Sequence, residues 1–321
     1  MDLARRDNII VINGDGNRSG IVRGLSLGER REDSRFVIYG TTGNGILQQR
    51  TTEPPTMTQV PGSLGWDRVR GNAETVLKHY VNRHLANPFD AGRTFQNLVV
   101  AEDLGRGKEF PWQTRFQPLY KEMESIGNFA EMGFSFFADI THRQWVFDVV
   151  PGADRTKGQE LLSPVVFRTE HSSIDGYRYV EDFQRYRTTG YALGSGEDEN
   201  RMRFTIGAEF IGRDRWEVAL DCGSPDDMAA LIEYGTQRLA EYHEVKSVEV
   251  DALPRAFRFE RDYFLGDLVS VYISRIGLEL DTRITSVREI WERNGGYRAE
   301  IRFGGELSNM FTIWNRREEV R

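Results

Sequence analysis

Apolar and polar positions alternate most cleanly in residues 297–303, where Tyr297, Ala299, Ile301 and Phe303 are interleaved with Arg298, Glu300 and Arg302. A period of two gives a strand with one buried and one wet face. Asn294-Gly295-Gly296 separates this strand from residues 287–291, which is a hairpin signal. Upstream, Gly266-Asp267 lies between an aromatic-apolar run and the β-branched run Leu268–Ile273, so it marks a tight turn. Glycine supplies backbone freedom there, and Asp267 can accept from its own following amides. Residues 283–288 also have strand composition. Together these segments predict a small antiparallel β-barrel.

The same pattern, followed from the start, predicts a hairpin from residues 8–12 and 20–27 around the turn 13–16, then a third strand at 35–39. Residues 40–65 are rich in turn residues (Pro54-Pro55, Pro61-Gly62) with a short apolar turn at Ile46-Leu47, as in a connection between domains. Asn72 is placed to cap a helix whose stripe is Val76, Leu77, Tyr80, Val81 and Leu85. A second helix, from about 118 to 132, aligns Leu119, Met123, Ile126 and Ala130, and leads into a hairpin of 133–139 and 144–150. Residues 66–150 thus read as an α/β unit. Further strands are expected at 164–168, 176–183 and 187–193, followed by a polar loop over 194–200. Ser224 is the expected cap of a third helix, with Pro225 at its first position and Asp226 and Asp227 in its first turn, running to about His243.

With 321 residues the chain can bury a substantial core and suggests about two or three domains. Aromatic content of 12% with 32 glycines suits a β-rich protein with many turns. The net charge of −7 leaves no sequence-wide basic field for nucleic acid. Arg30-Arg31 and Arg316-Arg317 are each followed by acids and read as solvated positions. A single cysteine, Cys222, rules out an intrachain disulfide framework and a cysteine-built zinc site, so folding in a reducing cytoplasm is expected. No apolar run approaches the roughly 20 residues of a membrane span, and no signal-peptide core precedes Asp7.

Candidate chemistry is thin. Gly24-Leu-Ser-Leu-Gly28 matches a nucleophile elbow around Ser26, but the charged run that follows has no apolar helix face. Gly14, Gly16 and Gly20 lack dinucleotide-loop spacing and precede a strand. Gly105-Arg-Gly-Lys108 lacks the rest of a phosphate loop. Of the histidines, His79 and His84 stand five apart on a helix and are expected on different faces, unable to hold one metal together. His142, three after Asp139, is an ordinary turn residue; His171 and His243 have no partner motif. The acidic pairs Glu181-Asp182, Glu197-Asp198-Glu199 and Asp226-Asp227 read as solvation or capping. Trp66, Trp112 and Trp145 are expected in the core, with sugar-stacking platforms the competing reading. No catalytic, cofactor-binding or metal residue is therefore assigned, and no cofactor is expected.

The order of elements resembles the siphovirus tail-tip hub family, relatives of the baseplate hubs of contractile phages. Residues 36–50 are similar to its strand, glycine, short helix and terminal arginine. Residues 133–150 resemble the hairpin of its α/β domain, while 262–269, 283–288 and 302–304 follow its second barrel in order. The resemblance implies an α+β protein with a first barrel over 1–52, an α/β domain over 53–165, a second barrel over 166–304 with an inserted helix at 225–243, and a tail over 305–321. It also implies a structural virion protein at the tail tip: a homotrimer that joins tail tube to tip, contacts tape-measure and receptor-binding proteins and forms part of the DNA-ejection channel. Partners would include no sequence-specific nucleic acid. Two departures stand out: the family usually has an extra strand pair before the region matching 7–27, and many relatives carry long hydrolase or fibre extensions. The competing function is a cell-wall-degrading glycan hydrolase or esterase of the tip. The Arg and Glu of the wet strand faces are expected to supply rim charge for neighbouring subunits, and Met310–Trp314 to pack on one. An acidic surface lining a channel would repel passing DNA.

Overall fold

The computed structural model describes residues 5–30, 33–62, 65–170, 173–253, 256–292 and 296–304. Two compact units divide at Val150 and Pro151. In the first, β1 (Ile9–Ile12) and β2 (Asp15–Arg30) meet at a two-residue loop, with Ile12 opposite Asp15. Asn13 and Gly14 both have positive φ, 55° and 75°, the backbone that a type I′ hairpin turn requires. A β-carbon at Gly16 would lie 1.9 Å from the Ala138 carbonyl oxygen, so this strand needs a glycine where it crosses its neighbour. β3 (Asp33–Thr42) completes a three-stranded antiparallel sheet. A 3-10 helix, Gly43–Gln49, then buries Ile46 and Leu47 completely.

The remainder of this unit has β4 (Asp67–Asn72), α1 (Ala73–Val81), β5 (Leu98–Val100), β6 (Glu109–Thr114), α2 (Leu119–Ala130), β7 (Gly133–Asp139) and β8 (Gln144–Val150). β4 pairs with β6, while β5, β8 and β7 form a sheet in that order. The apolar stripes of α1 and α2 (Val76, Leu77, Tyr80; Leu119, Met123, Ile126) close one core with Phe136, Phe147, Trp112 and Trp145. Asn72 does occupy the residue before α1, but its side chain does not cap it; Nδ2 donates to the Gly105 carbonyl at 2.7 Å. The free amides of Ala73 and Glu74 instead donate to the carbonyls of Lys108 and Arg106, at 3.0 and 3.1 Å.

In the second unit β9 (Asp154–Arg155), β10 (Val166–Arg168), β11 (Ile174–Asp182), β15 (Val245–Ala252), β16 (Leu268–Ile273), β17 (Leu278–Glu292) and β18 (Gly296–Gly304) make one seven-stranded sheet. Its ladder runs β10, β16, β17, β18, β15, β11, with β9 beside β10 on β16. Among the described residues the ladder is open at β10 and β11, so hydrogen bonding closes no barrel. β10 is only three residues long, and the Ser173 hydroxyl stands in at the gap, accepting from Arg168 N at 2.7 Å and donating to Arg168 O at 2.9 Å. Phe167 of β10 and Ile174 of β11 nonetheless share one core with Val250, Val271, Ile301 and Phe303. Alternation in β18 is as expected, with Ala299, Ile301 and Phe303 inward. The turn residues 293–295 lie outside the described residues, but Glu292 pairs with Gly296 across them.

Asp267 behaves differently from expectation. Its carboxylate accepts from Phe264 N at 2.9 Å, Ala153 N at 2.8 Å and Arg155 Nε at 2.8 Å, pinning β9 to the turn instead of bonding its own following amides. Between β11 and β15 the chain inserts more than a helix. β12 (Thr189–Leu193), β13 (Arg203–Ile206) and β14 (Glu217–Asp221) form a sheet, ordered β13-β12-β14, under α3 (Met228–Ala240). Ala192, Leu220, Cys222, Leu231 and Tyr234 make its separate core. The cap of α3 is Asp227, which accepts from Ala230 N at 2.8 Å; the helix starts three residues later than a Ser224 cap would give. Replacing Asp227 with alanine is expected to destabilise this lobe by roughly 1 kcal/mol. The check is faster hydrogen exchange at residues 228–231, with β16–β18 unchanged.

Candidate functional site

One buried polar cluster gathers on Asp67, the first residue of β4, which is 1% exposed. The helix that starts as α1 continues as a π-turn over Asn82–Ala86. An α-helical spacing of five residues separates two side chains, whereas the wider π-turn brings them round to one face. His79 and His84 therefore converge, against the sequence expectation. His79 Nε2 lies 3.1 Å from Asp67 Oδ1 and His84 Nε2 lies 3.0 Å from Oδ2, the second off the line of a good hydrogen bond. Tyr80 donates to the Asp67 carbonyl at 3.1 Å and stacks nearly parallel on His84.

Burial alone would raise the Asp67 carboxyl, yet the contacts with His79 and His84 outweigh it and hold it at about 2. Burial pushes His84 below its ordinary value, against the pull of Asp67. Both shifts make acid destabilising. Below pH 6.5 the unfolded chain binds a proton at His84 that the native state resists. The Asp67 contribution is fully present above its unfolded value of 3.8 and is lost as pH falls towards 2. Urea melts followed by tryptophan emission should therefore show a lower midpoint at pH 5.5 than at 7.5. His84→Gln should flatten that difference; an undiminished one would exclude His84 as its source.

A second cluster surrounds Glu74 in α1, whose carboxylate is completely buried. Arg106 donates to it through Nε at 2.8 Å, Nη2 at 2.9 Å and its backbone N at 3.1 Å. Lys78 Nζ lies 2.7 Å from Glu74 Oε1 and 2.9 Å from Asp148 Oδ1. The Arg106 guanidinium holds the Glu74 carboxyl well below the usual carboxylate range despite its burial. Every charge here is answered, so the cluster clamps α1, the 102–106 loop and β8 together. The Gly105–Lys108 motif serves that clamp.

The other candidates do not gather. Ser26 lies mid-strand opposite Val37, so no elbow exists. His142 Nδ1 sits 2.6 Å from Asp139 on the β7–β8 turn, as a turn residue would. His243 Nδ1 meets the Ala240 carbonyl at 2.8 Å. His171, Arg31 and Arg316-Arg317 lie outside the described residues. Glu181 accepts from Tyr179, Asp182 caps Gln184 N, and residues 198–200 form a 3-10 turn. Trp112 and Trp145 are core residues, and Trp66 is half-buried under Arg115; among the described residues the exposed tryptophans are Trp216 and Trp291, which no pattern singled out. Among the described residues no three His, Cys, Asp or Glu side chains are placed to hold a metal ion. A cavity of about 340 Å³ is lined by Asp7 with its partners Arg6 and Arg23. Another of about 390 Å³ is lined by Arg93, paired with Glu53, and by Arg50, whose Nε and Nη2 donate to the Arg93 carbonyl. Charge in both is already paired. Similarly, the wet-face charges of the large sheet pair within the chain, Arg302 with Glu249 and Arg288 with Glu300.

What remains unmatched among the described residues is apolar surface, Leu25, Leu27 and Phe36 among it. The family model described as Siphovirus ReqiPepy6 Gp37-like protein matches residues 1–305. The chain belongs to that family. Its fold is similar to that of the tail protein from Neisseria meningitidis MC58, with a TM-score of 0.53 at 14% identity over 90% of this chain and 80% of that one. It is likewise similar to the 43 kDa tail protein of prophage MuSo2 from Shewanella oneidensis, with a TM-score of 0.52 at 12% identity over 91% and 80%. No curated protein matches. Family and fold support a structural role in a phage tail, in contact with other tail components. No described helix is long and apolar enough to cross a membrane.

Proposed function

We propose that this siphovirus tail protein is the hub of the tail tip, three copies forming a ring that joins the tail tube to the tip and lines part of the ejection channel. The observation that carries the reading is the family match over residues 1–305, joined to a fold shared with tail proteins along nine-tenths of the chain. The open seven-stranded sheet and the three-stranded sheet of residues 9–42 would act as the two barrel-like elements of each subunit, so that three copies present six to the tube. In this reading residues 1–52, 53–165, 166–304 and 305–321 are the first barrel, α/β domain, second barrel and tail. Met310–Trp314, outside the described residues, would pack on a neighbour. The charge of −7 would keep a channel wall from trapping DNA. Antibody labelling of intact particles tests the position: label at the distal tail end is expected, and label along the shaft or on the head would exclude a hub. Purified chain should leave no clearing on a cell-wall zymogram; clearing would favour the hydrolase reading.

A further inference from the structure

Beyond residue 23 the β2–β3 hairpin continues as an arm. β1 pairs only with residues 15–21 of β2, so among the described residues β3 is the one partner strand of residues 24–30. Leu25 faces Ile38 and Leu27 faces Phe36, and period-two alternation puts all four on one side. They are 45%, 38%, 58% and 48% exposed respectively. On the other side Tyr39, 57% exposed, lies over Gly24, whose hydrogen leaves room for the ring. A two-stranded ribbon is at best marginal in water without a layer against its apolar face. The four on one side leave on the order of 350 Å² bare, within the range of the largest patch a monomer exposes and most of the apolar share of a standard interface of about 800 Å² per partner.

We infer that the arm is an interface between copies of this chain, its apolar face covered by a second copy. Charge decides against a partner of opposite sign. Residues 24–28 and 36–39 contain no Asp, Glu, Lys, Arg or His, and between them Arg30, Arg31 and Arg35 balance Glu29, Glu32 and Asp33. On a chain of net −7, this neutral stretch is where two copies approach with least repulsion, and a mixed-sign sequence is complementary to itself. The sheet of the second unit follows the opposite rule, with its wet face charged and paired within the chain. This inference rests on the hub reading only for the number of copies.

Light scattering on the purified chain at tens of µM should give a multiple of 36.9 kDa. Leu27→Asp with Phe36→Asp should reduce it to one chain with unchanged circular dichroism, whereas Ile211→Asp, at an exposed apolar residue of the second unit, should not. Should the double variant unfold, hydrogen exchange on the native chain decides: amides of 24–28 and 36–39 gain protection as concentration rises from about 1 to 100 µM. A single-chain mass for the wild type, a variant that keeps the multiple, or exchange independent of concentration overturns the interface. Particle labelling away from the tip would overturn the hub and leave these results standing.

Discussion

Phe167→Ala is expected to destabilise the carboxy-terminal unit by about 3–5 kcal/mol, the range for a fully buried phenylalanine in a core that cannot collapse. Its ring meets Phe257, Tyr263 and Phe303 at centroid distances of 5.5, 5.4 and 5.3 Å, the first two edge-on. Tyr263 and Phe303 are themselves fully buried, so truncation takes a neighbour from three large rings at once. The position also matters to the sheet. β10 has three residues and an open end beyond it, and Phe167 is the side chain that fastens this edge to the core. Differential scanning calorimetry should show the transition lowered by roughly 10 °C. Phe167→Leu, which keeps most of the volume, should recover over half of that. A shift of less than about 2 °C for the alanine variant would mean that this edge is not part of the cooperative core.

Local rules carried the reading wherever one element satisfied itself. The Asn13-Gly14 turn, the β7–β8 hairpin, both amphipathic helices and the β17–β18 alternation were legible because period, turn chemistry and pairing partner lie within about thirty residues. β15 carried a signal that was passed over: Val248, Val250 and Ala252 alternate with Glu249 and Asp251 and all three are buried. The strand expected at 187–193 is β12, but its partners β13 and β14 were harder, since they are four or five residues long and acquire their apolar face only under α3. At Ser224-Pro-Asp-Asp227 three of four successive residues had cap chemistry, and only geometry chooses the one that reaches an amide. The Asp67 cluster was hidden by the π-turn, because a 3.6-residue period puts His79 and His84 apart. The apolar arm was in plain view as Leu25, Leu27, Phe36 and Ile38, but alternation cannot say whether a face is covered.

Glu74→Ala should be the most damaging change in the amino-terminal unit, costing about 3–5 kcal/mol. The loss is not the worth of one ion pair. Bringing the Glu74 and Lys78 charges into a core is costly, and their attraction to each other and to the half-exposed Arg106 and Asp148 does little more than offset it. Removing the carboxylate alone leaves Lys78, 5% exposed, with Asp148 and the Glu102 carbonyl, and leaves Arg106 without the acceptor that takes both of its forks. It also frees the Arg106 amide and loosens the 106–108 carbonyls that satisfy the first turn of α1. Glu74→Gln should cost less, since a neutral oxygen still accepts from Arg106. The pH dependence separates the charge from the packing. A carboxylate held below its unfolded value contributes stability that is complete above pH 4.5 and lost as pH falls below it. The gap between wild type and Glu74→Ala in urea midpoint should therefore be constant from pH 8 to 5 and narrow towards pH 3. A gap that stayed the same to pH 3 would mean that the side chain acts by filling space, and that the paired charges add nothing.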